Sequence, residues 1–189
     1  MDQYHVIEPG VELVATAQQA VNSAISTATD PTAVVDAVGK RTDDPLTDGG
    51  VGTLTAVFAI RRAVFVGEQG VDPALEWDDA ETAATHVLGV ADGRAVGTAR
   101  IRFVDDDTAK AERLAVRQSD RRQGYGRRLM DAVEAYATHS GATRCKLHAQ
   151  RRVEQFYRSI GYRTVGDEFE EAGIPHIAMV TDLPTTQRE

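Results

Sequence analysis

Apolar side chains divide the chain into short alternating runs in its middle, with helix-spaced runs on either side. His86-Val87-Leu88-Gly89-Val90 and Ala95-Val96-Gly97-Thr98-Ala99-Arg100-Ile101 are strand-like runs separated by Asp92-Gly93, a dipeptide suited to the left-handed positions of a tight hairpin turn. Asp105-Asp106-Asp107 marks a second turn, after which Lys110-Ala111-Glu112-Arg113-Leu114-Ala115-Val116 alternates as a third strand. These three runs predict an antiparallel meander. Leu129, Met130, Val133, Tyr136 and Ala137 then recur at helical spacing, predicting a helix from about Arg127 to His139, with Gly141 where a helix-ending glycine belongs. Arg144-Cys145-Lys146-Leu147-His148 is a short strand candidate, followed by a helical run from Val153 to Ile160 that Gly161 closes. Ahead of the meander, a helix is expected from Leu54 to about Ala63, its apolar face formed by Leu54, Val57, Phe58 and the stem of Arg61.

The first fifty residues have a different character. Val14, Ala17, Val21 and Ala24 share one face of a helical run from Val11 to Ile25; an Asp30-Pro31 break and a shorter helical run to Val38 follow, and Asp43-Asp44-Pro45 with Asp48-Gly49-Gly50 is linker-like. These residues carry eight acidic and two basic side chains, against 21 and 19 in the remainder, so most of the net charge of −8 sits there. Residues 1–50 are therefore expected to be an acidic extension, partly helical or disordered, and residues 51–189 one compact domain. The apolar fraction of 42% suffices for a core. A nearly neutral domain argues against nucleic-acid binding. The absence of a membrane-length apolar run or signal-like N-terminus predicts a cytoplasmic protein. Cys145, the single cysteine, is read as a small buried residue, and no His, Cys or carboxylate spacing suggests a metal.

Chemistry concentrates at Arg121-Arg122-Gln123-Gly124-Tyr125-Gly126, between the third strand and the long helix. A diphosphate needs converging backbone N–H groups with no side chains in the way: Gly124 and Gly126 remove the side chains, and the following helix offers its unpaired N–H groups. Arg121, Arg122, Arg127 and Arg128 add positive charge.

With strand, glycine turn, helix, strand, helix and strand in this order, the chain resembles the GCN5-related N-acetyltransferase (GNAT) family. Arg121, Gly124 and Gly126 match the family's Arg/Gln-x-x-Gly-x-Gly/Ala turn, and Tyr157 and Gly161 lie in register with its Asn-x-x-Ala-x-x-x-Tyr-x-x-x-Gly-Phe signature, where Gln150, Val153 and Tyr162 depart from it. The stretches Arg62–Val71, Leu147–Gln150 and Phe169–His176 are similar to an ElaA/YjcF-like subgroup. The resemblance covers roughly Gly52 to Leu183. It implies an α/β (α+β) fold with a mixed, mainly antiparallel central sheet flanked by helices on both faces. It implies acetyl-CoA as cosubstrate, held by Arg121, Arg122, Gln123, Gly124, Tyr125, Gly126, Arg127 and Gln150 and by the backbone of Leu114, Ala115 and Val116. Tyr157 falls at the family's proton-donor position, and a homodimer is a family possibility.

Acetyl transfer to an amine sets its own demands. A primary amine with a pKa of about 10.4 arrives protonated and must lose that proton before it can attack a thioester. Glu112, Glu68 and His148 are rival bases. The acceptor is expected to be a small-molecule or peptide amine. Glu76-Trp77-Asp78-Asp79 and Glu168-Phe169-Glu170-Glu171, with His176, are candidates to line its site, although a run of charges is more often a solvated face. A non-catalytic acyl-CoA-binding module is the alternative. A dinucleotide oxidoreductase is disfavoured because Leu129 stands where a third glycine would belong.

Overall fold

The structure, a computed structural model, describes residues 3–7, 15, 17–19 and 51–185. The helical runs and linker expected between Val11 and Gly50 lie largely outside the described residues. Strand β1 (Gln3–Ile7), which the hydrophobic pattern does not announce, pairs antiparallel with β2 (Thr85–Ala91) and forms one edge of the sheet.

Helix α1 (Val51–Arg61) begins three residues before and ends about two residues before the expected bounds, and buries Leu54, Val57, Phe58 and Ile60 completely. It runs on into a π-helical stretch, Arg62–Glu68. The short helix α2 (Pro73–Glu76) starts at Asp72, whose carboxylate accepts the Ala74 N–H at 2.8 Å, with Pro73 at the first helical position. Strands β2 and β3 (Arg94–Phe103) make the expected hairpin, with Asp92 and Gly93 both left-handed at φ 50° and 71°. Strand β4 (Thr108–Val116) completes the meander. Helix α3 (Tyr125–His139), strand β5 (Arg144–Gln150) and helix α4 (Glu154–Ser159) follow. Gly141 and Gly161 have the left-handed backbone of helix-ending residues, φ 99° and 100°. A final hairpin of β6 (Arg163–Glu171) and β7 (Ile174–Asp182) turns through Ala172 and Gly173.

The seven strands run in the order β1-β2-β3-β4-β5-β7-β6, and β4–β5 is the single parallel pair among the described residues. This is the mixed, mainly antiparallel sheet expected. Alternation along the strands feeds two cores. On one face Val87, Ala99 and Ile101 pack with Leu129, Met130 and Val133 of α3; on the other Leu88, Ala95 and Ala115 pack with Leu54, Val57 and Phe58 of α1. Strand β6 is the other edge; its pairing with β7 breaks between Val165 and Phe169, where Gly166 has φ 73°.

Gly97 marks the closest approach of layers: a Cβ there would lie 2.8 Å from the Ala115 carbonyl oxygen and 2.8 Å from Leu129 Cδ1. Both neighbours belong to packed elements that cannot simply rotate away. Gly97→Ala is therefore expected to cost about 1–3 kcal/mol, measurable as a lower urea midpoint at unchanged slope.

Candidate active site

Parallel pairing of β4 with β5 joins Thr108–Ala111 to Arg144–Leu147 and then stops. The cause lies in β4. Thr98 pairs with Ala115 and Arg100 with Glu112, so Ala99 of β3 faces two residues, Arg113 and Leu114. This is a β-bulge, and Arg113 takes the left-handed φ of 52° needed to place the extra residue. Beyond it the strands fork around a cleft of 660 Å³. Lys110 to Val116 form one wall, His148, Gln150 and Tyr157 the other; the segment from Val64 to Glu76 and the β6–β7 turn complete it.

The cleft gathers Glu68, Glu112, Leu114, Ala115, Val116, Arg121, His148, Gln150 and Tyr157. The remaining turn residues, Arg122, Gln123, Gly124, Tyr125, Gly126 and Arg127, are not part of that lining and continue from Arg121 along the surface. Gly124 is left-handed at φ 85°, and α3 begins at Tyr125, two residues before the expected start. Gly126 lies against Phe156, whose ring would stand 3.4 Å from an added Cβ. Gln123 donates to the Ser119 carbonyl at 3.3 Å, and the Arg128 guanidinium lies over the Tyr125 ring at 5.6 Å. Gln150 donates to Gln69 Oε1 at 2.7 Å, tying the end of β5 to the residue after the π-helix.

The proton carriers differ sharply in environment. Burial pushes the Glu112 carboxyl upward, but hydrogen bonds from Arg102 and Lys110 and the charge of Arg100 outweigh it and hold the group well below the carboxylate range. So strongly stabilised an anion is a weak base. Glu68 is paired with Arg121 at 2.5 Å. His148 faces Glu171 across 2.8 Å from Nδ1, with Phe169 edge-on at 4.8 Å between it and His176. Burial pushes Glu171 upward, yet its hydrogen bond with His148 outweighs this and keeps it ionised. The carboxylate must accept, so Nδ1–H donates, and in the neutral ring Nε2 is then the accepting nitrogen. Burial raises the Tyr157 phenol above its ordinary value, so the group retains its proton at neutral pH. Burial also pushes the Cys145 thiol up to about 11, as suits a core residue.

Behind the cleft lies a charge network that the sequence did not announce. Arg61, fully buried at the end of α1, donates from Nε to Glu76 at 2.5 Å and from Nη2 to Glu81 at 2.7 Å. Arg100, buried in β3, reaches Asp78 at 2.6 Å, Glu81 at 2.8 Å and Glu112 at 2.8 Å. Arg113 holds Glu76 at 3.0 Å from the bulge. Of the acidic run Glu76-Trp77-Asp78-Asp79, Glu76 is buried at the cleft wall and held by Arg61 and Arg113, Asp78 is exposed and pairs with Arg100, and Asp79 is exposed. Trp77 packs edge-on against Phe58 at 4.8 Å and under the Arg61 guanidinium, away from the cleft. Of the second acidic run, Glu171 reaches the cleft while Glu168 pairs with Arg151 at 3.0 Å. His176 lines the cleft as expected. The one trace of the network in the sequence is an arginine inside each of two otherwise apolar runs.

A family profile described as an acetyltransferase (GNAT) domain matches residues 54–183. The uncharacterized N-acetyltransferase YjcF of Bacillus subtilis is 38% identical over 130 residues, 68% of this chain and 92% of that protein. Protein ElaA of Escherichia coli is 34% identical over 137 residues, 70% and 90% of the two chains. The crystal structure of ElaA superposes with a TM-score of 0.62, covering 69% of this chain and 90% of that one. A crystal structure of an acyl-CoA N-acyltransferase from Pseudomonas aeruginosa gives 0.61 at 26% identity, covering 67% and 88%.

Two outcomes are expected of the network. Removing the cation by Arg100→Met takes one partner from each of Asp78, Glu81 and Glu112, which keep Arg113, Arg61 and Arg102, and should destabilise the fold by about 3 kcal/mol in urea unfolding. The pH dependence has two windows. Burial, with the charge of Arg61, lowers His86 to about 4, so the unfolded chain takes up a proton between pH 6.5 and 4 that the folded chain refuses. Stability from His86 is present above pH 6.5 and lost as pH falls to about 4. Asp78, Glu81 and Glu112 are also depressed, because their arginine partners outweigh burial, and their contribution is lost below the ordinary carboxylate range near 4. Unfolding midpoints measured from pH 7 to 3 should decline through both windows, and His86→Asn should flatten the upper one.

Proposed function

The chain belongs to the GNAT acetyltransferases and is an acyltransferase; from that premise we propose that it moves the acetyl group of acetyl-CoA directly to a primary amine, with His148 as base and Tyr157 as proton donor. The observation that carries this reading is the forked cleft, which faces a bulged strand on one side and His148 and Tyr157 on the other. The residues fit the cosubstrate. Gly124, the N-terminus of α3 and the arginines from Arg121 to Arg128 suit its phosphates, and the β4 edge beyond Ala111, no longer paired with β5, suits its amide-bearing arm. When bound, acetyl-CoA supplies the activated acetyl group.

The protein's own groups manage protons and orientation. His148 Nε2 accepts the proton of the incoming ammonium, and Glu171 holds the ring in that tautomer and stabilises the charge that forms. Tyr157, kept protonated by burial, donates a hydrogen bond to the leaving sulfur that strengthens as charge develops there. Backbone N–H groups of β4 at the bulge offer the donors that the acetyl oxygen requires. Glu112, firmly paired, serves the wall of the cleft and not the proton transfer.

Calorimetric titration with acetyl-CoA, with NADH as control, followed by a thiol-release assay across primary amines, tests the reading. Saturable binding of acetyl-CoA alone and amine-dependent thiol release are expected; binding without release for any amine would leave a non-catalytic acyl-CoA-binding module. Tyr157→Phe should lower kcat by about 10²-fold with acetyl-CoA affinity unchanged. His148→Ala should lose a similar factor and recover part of it with added imidazole, whereas Glu112→Gln should reduce stability more than turnover.

A further inference from the structure

Arg121, which the motif assigns to the pyrophosphate, is not waiting open. Its Nη2 lies 2.5 Å from Glu68 Oε2, fifty-three residues earlier in the chain, and its Nε donates to the Val116 carbonyl at 3.0 Å. Glu68 ends the π-helix, and both side chains line the cleft, 30% and 40% exposed. The other carboxylates of the cleft are held differently: Glu76 by Arg61 and Arg113, Glu112 by Arg100, Arg102 and Lys110, and Glu171 by His148. Glu68 pairs with Arg121 alone among the described residues.

Resting on acetyl-CoA as cosubstrate, we propose that the Glu68–Arg121 pair is a latch that the cosubstrate's phosphates open, uncovering the Glu68 carboxylate for the acceptor's ammonium. A diphosphate carries more charge than one carboxylate and can take an arginine through two parallel hydrogen bonds. An exposed ion pair is weak enough to be displaced. Once displaced, Glu68 is an unpaired anion on a cleft wall. The Gln69–Gln150 hydrogen bond ties the neighbouring residue to β5, two positions beyond His148. Before displacement Glu68 is engaged by Arg121, so the amine gains this carboxylate as a charged partner only after the cosubstrate is in place.

A double-mutant cycle read by acetyl-CoA titration at fixed ionic strength tests the latch. Glu68→Gln removes the competitor and should tighten acetyl-CoA binding about two- to fivefold. The same change in an Arg121→Gln background should have no effect. Equal tightening in both backgrounds would mean that Glu68 acts only through its general charge and would overturn the latch, as would unchanged affinity in Glu68→Gln. Failure of the unsubstituted protein to bind acetyl-CoA would instead overturn the cosubstrate assignment and this inference together. Release is read separately by carbodiimide labelling of Glu68, quantified by peptide mass spectrometry with and without saturating CoA. Increased labelling is expected; unchanged or decreased labelling would overturn the uncovering of the carboxylate.

Discussion

The structure depends on two arginines that have no route to solvent. Arg61 ends a helix buried on all sides, and Arg100 sits in the middle of the sheet. A guanidinium cannot shed its charge, so leaving either unpaired would cost several kcal/mol. The chain meets this demand with Glu76, Asp78 and Glu81, which fold back from the segment after the π-helix, and with Glu112 from β4. One network therefore fastens α1, the 69–81 segment, β3 and β4 to each other. Three of those elements are walls of the cleft, or stand directly behind one.

That arrangement separates two duties that residues of the same type perform within a few ångströms. Glu112, anchored by several cations, loses basicity, and both it and Glu76 are fixed in place by their arginines. His148 instead faces Glu171, and Glu68 pairs with Arg121. Assigning roles by residue type would make four carboxylates equivalent; counting the partners of each distinguishes them.

Local signals were legible in the sequence. Asp92-Gly93 announced its hairpin because both residues tolerate left-handed backbone, and Gly124, Gly141 and Gly161 fell where helices begin or end. The apolar spacing from Leu129 to Ala137 predicted α3 and its buried face. The bulge at Arg113 and Leu114 was silent, because it is a mismatch between two strands and neither strand's own pattern records it. The partners of Arg61 and Arg100 were likewise hidden: the acidic residues that neutralise them are between 12 and 22 positions away and look, in isolation, like a wet surface. Strand β1 escaped notice because five residues of mixed polarity at a sheet edge carry little periodicity. The β6–β7 turn lacks the Asn-Gly or Asp-Gly signal, and Ala172 adopts its left-handed φ of 51° without the help of a favourable side chain.

Strand β6 bears on how the molecule keeps to itself. Its outer edge presents backbone groups to any passing strand, the usual starting point for sheet-to-sheet aggregation. Here the register break at Gly166 bends the strand, and Asp167, Glu168, Glu170 and Glu171 crowd its second half with negative charge. A second copy approaching edge to edge in parallel register would bring like charges against these. The bend and the negative charge are the two devices by which an edge strand resists pairing with a passing strand, and β6 carries both.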